Sequence, residues 1–220
     1  MALPVLIIGK SGSGKSTSLR NCVGKDFCIV KVLNKPLPFK GKIPEAVTDD
    51  YRTVMKSIYQ AKQKSIVIDD AGYLITNQFM NGHSNAGGGN AVFTFYNKVA
   101  DNFWGLIQFI STKVQKDKIV YVIMHEDTDE AGNTRPKTIG KLLDEKVNVE
   151  GMFTIVLRCV SENGSHEFVT QAADGAVSKS PIGMFESERI DNDLLAVDEA
   201  IRSYYEMDKI TEKKEETVNA

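Results

Sequence analysis

The 220-residue chain predicts an α/β fold: a mostly parallel central sheet flanked by helices, closed by a late antiparallel hairpin. Three observations predict it. Short apolar runs alternate with segments of helical periodicity, the pattern of strand–helix–strand units. The first apolar run enters a glycine-rich loop that opens directly into a helical segment. Late in the chain, Asn163-Gly164 joins two β-rich runs, the signature of a tight hairpin.

In chain order, residues 5–8 form an apolar run that reads as a strand buried on both faces. A helix is expected at about 15–23 and a second strand at 27–32. Pro36, Pro38 and Pro44 break the stretch that follows into loop. Thr48-Asp49-Asp50 supplies caps for a helix carrying Tyr51, Val54, Met55, Ile58 and Ala61 on one face. A third strand, 65–68, runs into Asp69-Asp70. Residues 76–90 are rich in glycine and asparagine without periodicity and read as a mobile loop. Residues 91–114 read as a long amphipathic helix, with Phe93, Tyr96, Ala100, Phe103, Ile107 and Ile110 along one side.

A fourth strand, 119–124, ends in His125-Glu126. A polar loop is expected at 127–136 and a short helix at 138–147. Strands at 152–160 and 166–170 flank the hairpin turn, and 191–207 reads as a closing helix. Residues 1–207 thus form one expected domain, with 208–220 as a charged, flexible tail.

Composition narrows the function. With 27 basic and 29 acidic residues, net charge −2 and a pI near 6.0, the chain lacks the broad basic surface of a protein that coats nucleic acid. Cys22, Cys28 and Cys159 are odd in number and have no CxxC spacing. They fit buried thiols in a reducing cytoplasm. No apolar run is long enough to span a bilayer, so no membrane partner is expected.

The chemistry is concentrated in one segment. Gly9-Lys10-Ser11-Gly12-Ser13-Gly14-Lys15-Ser16 matches GxxxxGK[ST] throughout. Glycines let main-chain N–H groups turn inward around phosphates, and the helix that follows favours anions at its start. Gly9, Ser11, Gly12, Ser13, Gly14, Lys15, Ser16 and Thr17 are the candidate nucleotide-binding residues. Lys15 reaches the β- and γ-phosphates, the Ser16 hydroxyl ligates Mg2+, and Thr17 adds a hydroxyl to the α-phosphate. Asp69, at the end of a buried strand, is the second candidate on the Mg2+ side. Asp70 is a candidate to orient or deprotonate water, or else a helix cap. His125 is a candidate γ-phosphate sensor and Glu126 a rival for water activation. His83, His125 and His166 lie on separate elements, so no metal site is expected among them.

With Ile68-Asp69-Asp70, Tyr121 to Glu126, and the segment Lys179-Ser180-Pro181-Ile182-Gly183-Met184-Phe185 followed by Ile190 to Leu194, the chain resembles bacteriophage RecA-like P-loop ATPases of the AAA type. That group includes single-strand-annealing recombination proteins. The resemblance spans about residues 3–205. It implies a RecA-like P-loop NTPase core that binds and hydrolyses ATP with Mg2+. It further implies a homo-oligomeric ring or filament acting on single-stranded DNA in recombination or annealing, in a host cytoplasm, with other phage recombination or replication proteins as further candidate partners.

On that resemblance Lys179 is the candidate basic residue supplied across a subunit interface, with Arg135 and Lys137 as rivals. The candidate DNA loops are 76–90, where Phe79 and His83 could stack on bases, and 127–141, with Arg135, Lys137 and Lys141. The chain departs from the family at Val32-Leu33-Asn34-Lys35, where RecA-type proteins carry a catalytic glutamate after the strand. Two other readings share the phosphate loop: a small-molecule or nucleoside kinase, for which the single arginine in 127–141 is a poor lid, and an ATP-gated adaptor with little turnover.

Overall fold

A computed structural model describes residues 1–129, 132–140, 142–172, 175 and 177–208. Its centre is β1 (Leu3–Gly9), in which Val5, Leu6, Ile7 and Ile8 are fully buried. Around it lie β2 (Phe27–Lys31), β3 (Glu45–Val47), β4 (Ser65–Asp69), β5 (Ile119–Thr128), β6 (Thr134–Pro136), β7 (Ile155–Glu162), β8 (Ser165–Val169) and β9 (Arg189–Asp191). The order across the sheet is β3-β2-β4-β5-β1-β7-β8-β9, with β6 paired antiparallel to β5. From β3 to β7 the strands are parallel, and β8 and β9 add antiparallel pairs.

Alternation along each strand builds two cores. Leu6 and Ile8 face one layer with Ile66, Ile68, Val120 and Val122, covered by α1 (Tyr51–Gln60), α2 (Gly72–Gly82) and α3 (Asn90–Lys113). Val5 and Ile7 face the other with Val67, Tyr121 and Ile123. That layer is covered by a short 3-10 helix, Ser16–Cys22, and by α4 (Leu194–Tyr204). Burial on both faces explains why these strands read as continuous apolar runs. Between α4 and the sheet, the buried Asp198 carboxylate accepts from Ser65, Tyr121 and Arg202 at 2.6, 2.9 and 2.8 Å.

Several expectations need correction. Residues 76–90 are mostly helical: α2 runs to Gly82 and a 3-10 turn spans His83–Asn85. Leu74 and Ile75 are buried, and the Phe79 ring meets Phe95 and Tyr96 of α3 at 6.3 and 5.4 Å. Packing on α3 overrides the weak helix propensity of Thr76, Asn77 and Asn81. The Phe79 ring also stacks on His83 at 5.1 Å.

The expected polar loop at 127–136 is in part a hairpin, with Asp127 opposite Arg135 and Thr128 opposite Thr134. The segment after the phosphate loop is a tighter 3-10 helix, and the 138–147 helix reduces to a π-type turn at Leu142–Lys146. The last helix begins later than expected, because Asp191 belongs to β9 and Asp193 caps α4 by accepting from Leu195 N–H at 3.0 Å. The expected tail from 209 onward and Lys141 lie outside the described residues. No helix of the described residues is long and apolar enough to cross a membrane.

Parallel pairing aligns the strand ends. Gly9 is opposite His125, Ile68 opposite Val122, and Lys31 opposite Asp69. The phosphate loop, the Asp69-Asp70 pair and His125 therefore emerge on one edge, where ligands of open α/β sheets bind.

Candidate phosphate-binding site

Leaving β1 at Gly9, the loop turns through Gly12 at φ 78° and Gly14 at φ 99°, left-handed conformations suited to glycine. A Cβ on Gly14 would lie 2.9 Å from the His166 ring. The late strands brace this turn. Cys159 Sγ of β7 donates to the Ser13 carbonyl at 2.9 Å, and His166 Nδ1 of β8 lies 2.9 Å from the same oxygen. Since a carbonyl only accepts, that ring nitrogen carries the proton.

Lys15 is 7% exposed, and its ammonium donates to the Gly9 and Lys10 carbonyls at 2.8 Å each. Burial pulls its pKa down; opposing charges including Asp70, Asp69 and Glu126 limit the fall. The Ser16 hydroxyl donates to Asp69 at 3.0 Å (Oδ1) and 3.2 Å (Oδ2). Asp69 is buried, and burial followed by the neighbouring Asp70 charge raises its pKa, against the Ser16 hydrogen bond and Lys35.

Asp70 sits at φ 58° with its carboxylate buried. One oxygen is 2.5 Å from Lys35 Nζ, the other 3.6 Å from His125 Nε2. The cap of α2 falls instead on Ala71, which makes no side-chain cap bond. The Asp70 side chain is thus engaged with two basic groups and not with the helix end. His125 is half-buried against the edge of Tyr73, 6.0 Å between ring centroids. Burial, then the Lys15 charge, lowers its pKa below the ordinary 6.5, so its imidazole is neutral at pH 7.

These groups line one cleft of about 270 Å3. It is lined by the phosphate loop (Ser11, Gly12 and Gly14 to Thr17), by Asp69, Asp70 and His125, and by the segment after β2 (Leu33, Lys35, Pro36 and Pro38). The structure places Glu126 elsewhere. Its carboxylate is held by Arg158 Nε and Nη2, both at 2.8 Å, beside a separate cleft with Lys10 and Ser13. Lys179 does not line the first cleft. Its backbone pairs with Val156 of β7 at 2.8 and 2.9 Å, two residues before Arg158. Arg135 lies on β6, and Lys137 N–H donates to the His125 carbonyl at 2.8 Å.

Lys35, Arg158, Cys159 and His166 were not legible as site residues. For Lys35 the one available signal was its position just past a strand end on this edge of the sheet.

The model of the AAA domain family matches residues 1–182. The chain belongs to the AAA domain family. No curated protein sequence matches it. Among solved structures, a KaiC-like protein from the hyperthermophilic archaeon Pyrococcus horikoshii is similar at 14% identity, covering 76% of each chain with a TM-score of 0.42. This AAA domain has a donor set that fits a nucleotide with a divalent cation. A hydroxyl and a carboxylate in contact are hard oxygen ligands of the kind Mg2+ takes. A buried ammonium beside left-handed glycines suits a polyphosphate. Among the described residues, no group of three or more His, Cys, Asp or Glu side chains forms a separate metal site.

Proposed function

We propose that this AAA domain is a Mg2+-dependent ATPase. The observation that carries the reading is the contact between Ser16 and Asp69 at the foot of the loop that holds Lys15. Mg2+, when bound there, would neutralise and orient the β- and γ-phosphate oxygens. Lys15 binds the same oxygens, and loop N–H groups cradle the chain of phosphates. Asp70 orients water in line with the terminal phosphorus and accepts its proton. The water oxygen bonds to phosphorus, the bond from phosphorus to the bridging oxygen breaks, and its electron pair leaves on ADP. His125, neutral and one residue from Glu126, is the proposed reporter of the terminal phosphate to the β5–β6 hairpin.

Turnover is proposed to act on single-stranded DNA in an oligomer. The hairpin and Arg135 are the proposed DNA contact, and Lys179 is a cation for a neighbouring copy. Continuity of β5 from His125 into the hairpin supports this reading. Phosphate release from MgATP by wild type and Lys15→Ala, with and without a single-stranded oligonucleotide, tests both parts. Equal release by the two proteins would end the ATPase reading. Release by wild type that the oligonucleotide does not stimulate would end the DNA reading alone.

A further inference from the structure

The cleft contains a second ammonium group. Lys35 lines it together with Lys15, and its Nζ rests 2.5 Å from the buried Asp70 carboxylate. The segment that carries it is stiff. Val32 N–H donates to the Asp69 carbonyl at 3.2 Å, tying the segment to β4 beside the acid pair. Lys35 N–H donates to the Leu33 carbonyl at 2.8 Å in a tight turn. Pro36 then restricts Lys35 to extended conformations. Burial favours the neutral amine, but the hydrogen bond and charge of Asp70 outweigh it and raise the Lys35 pKa, so the group is charged at neutral pH.

The two partners differ in freedom. Asp70 is fixed, its side chain 7% exposed on a left-handed backbone; Lys35 is 56% exposed on a flexible stem. An anion stronger than a carboxylate, arriving from the Lys15 side, would compete for the mobile partner. The terminal phosphate of ATP carries more charge on more acceptor oxygens than Asp70 offers. Its arrival would draw Lys35 away and uncover the carboxylate that has to receive water.

We propose that Lys35 is a catalytic residue of this ATPase, an ammonium supplied by the same chain that moves from Asp70 onto the terminal phosphate of ATP. The proposal rests on the reading of the cleft as an ATPase site. While ADP or no nucleotide is bound, Lys35 masks Asp70. With ATP bound, it neutralises the terminal phosphate and leaves Asp70 free to accept a proton. One cation thereby serves as a lock on the base and as a contact with the substrate.

Calorimetric titration of MgATP and MgADP into wild type, Lys35→Ala and Lys35→Ala/Asp70→Asn tests it, with Lys15→Ala as the control for the site. Lys35→Ala should lose about tenfold or more in ATP affinity, as for loss of a charge-assisted hydrogen bond, while keeping its ADP affinity. The double variant should remain deficient, because removing the Asp70 charge does not replace a lost phosphate contact. Restoration of the wild-type ATP-to-ADP preference in the double variant would mean that Lys35 only screens Asp70, and would overturn the proposal. An unchanged ATP-to-ADP preference in Lys35→Ala would overturn it also. Both results leave the ATPase reading standing, provided that Lys15→Ala loses ATP and ADP alike. Wild type that binds neither nucleotide overturns the proposal and that reading together.

Discussion

Ser16 and Asp69 stand 53 positions apart in the chain, yet their side-chain oxygens are 3.0 Å apart. Parallel pairing through β5 brings them together, since β4 and β1 flank that strand with their carboxyl ends aligned. Ser16→Ala and Asp69→Asn should each lower phosphate release from MgATP by about 100-fold, the scale of a lost metal contribution. Chelation by EDTA should bring wild type down to the same level. Turnover in wild type that is indifferent to EDTA would contradict the assignment.

Asp69 also has a consequence for stability. Its pKa in the folded protein is raised above the ordinary 3.8, burial being the first cause. The folded state therefore holds this proton more tightly than the unfolded one, and the group's contribution is best at low pH. It is lost as pH climbs from the unfolded value through the raised folded one. At neutral pH the ionised side chain is a cost, so Asp69→Asn is expected to stabilise by roughly 1 kcal/mol. Thermal melts of the two proteins at pH 4 and pH 7.5 should show the variant's advantage at the higher pH only.

Asp70 follows β4 and Glu126 lies on the adjacent β5, yet their surroundings differ, and their variants should separate. Asp70→Asn should lose roughly 100-fold in turnover, as for removal of a general base, with ATP still bound. Glu126→Gln leaves Arg158 partly open to water and should cost about 1–2 kcal/mol of stability, less than a fully buried pair. Its turnover should stay near wild type. The reverse ranking in single-turnover hydrolysis would transfer the base role to Glu126.

Gly14→Ala should abolish nucleotide binding, because the new Cβ would meet the His166 ring at 2.9 Å on a backbone at φ 99°. The backbone strain alone is about 1–3 kcal/mol. His166→Ala removes one of the two donors on the Ser13 carbonyl and should weaken MgATP binding by about tenfold. Calorimetry on both variants checks the pair.

Arg202 and Asp198 are 1% and 0% exposed in their side chains and joined at 2.8 Å. Arg202→Ala leaves a buried carboxylate with only Ser65 and Tyr121, and should cost about 3–5 kcal/mol in urea unfolding.

The parts of this molecule that could be read from sequence are those whose physics is local. β1 and β4 announce themselves as apolar runs, and the loop from Gly9 to Ser16 is a spacing imposed by phosphate geometry. Asp50 as the cap of α1 is equally local, its side chain accepting from Thr53 N–H at 2.8 Å. What escaped depends on partners distant in sequence. α2 has weak propensity and is held by α3, while β3, β6 and β9 are three-residue strands that exist through their neighbours. Lys35 looks like a loop cation until β2 and β4 are laid side by side, which brings its ammonium to Asp70. The missing glutamate at that strand end was visible; the lysine's place in the cleft was not.

The brace on Ser13 comes from a histidine 153 positions downstream. During synthesis the glycine motif therefore leaves the ribosome long before the strand that steadies it. A nascent chain ending after Glu126 would contain every cleft-lining side chain and still have no β7 or β8 to hold the turn. Nucleotide should accordingly be a ligand of the completed polypeptide, and its uptake a late event in maturation rather than a nucleus for folding.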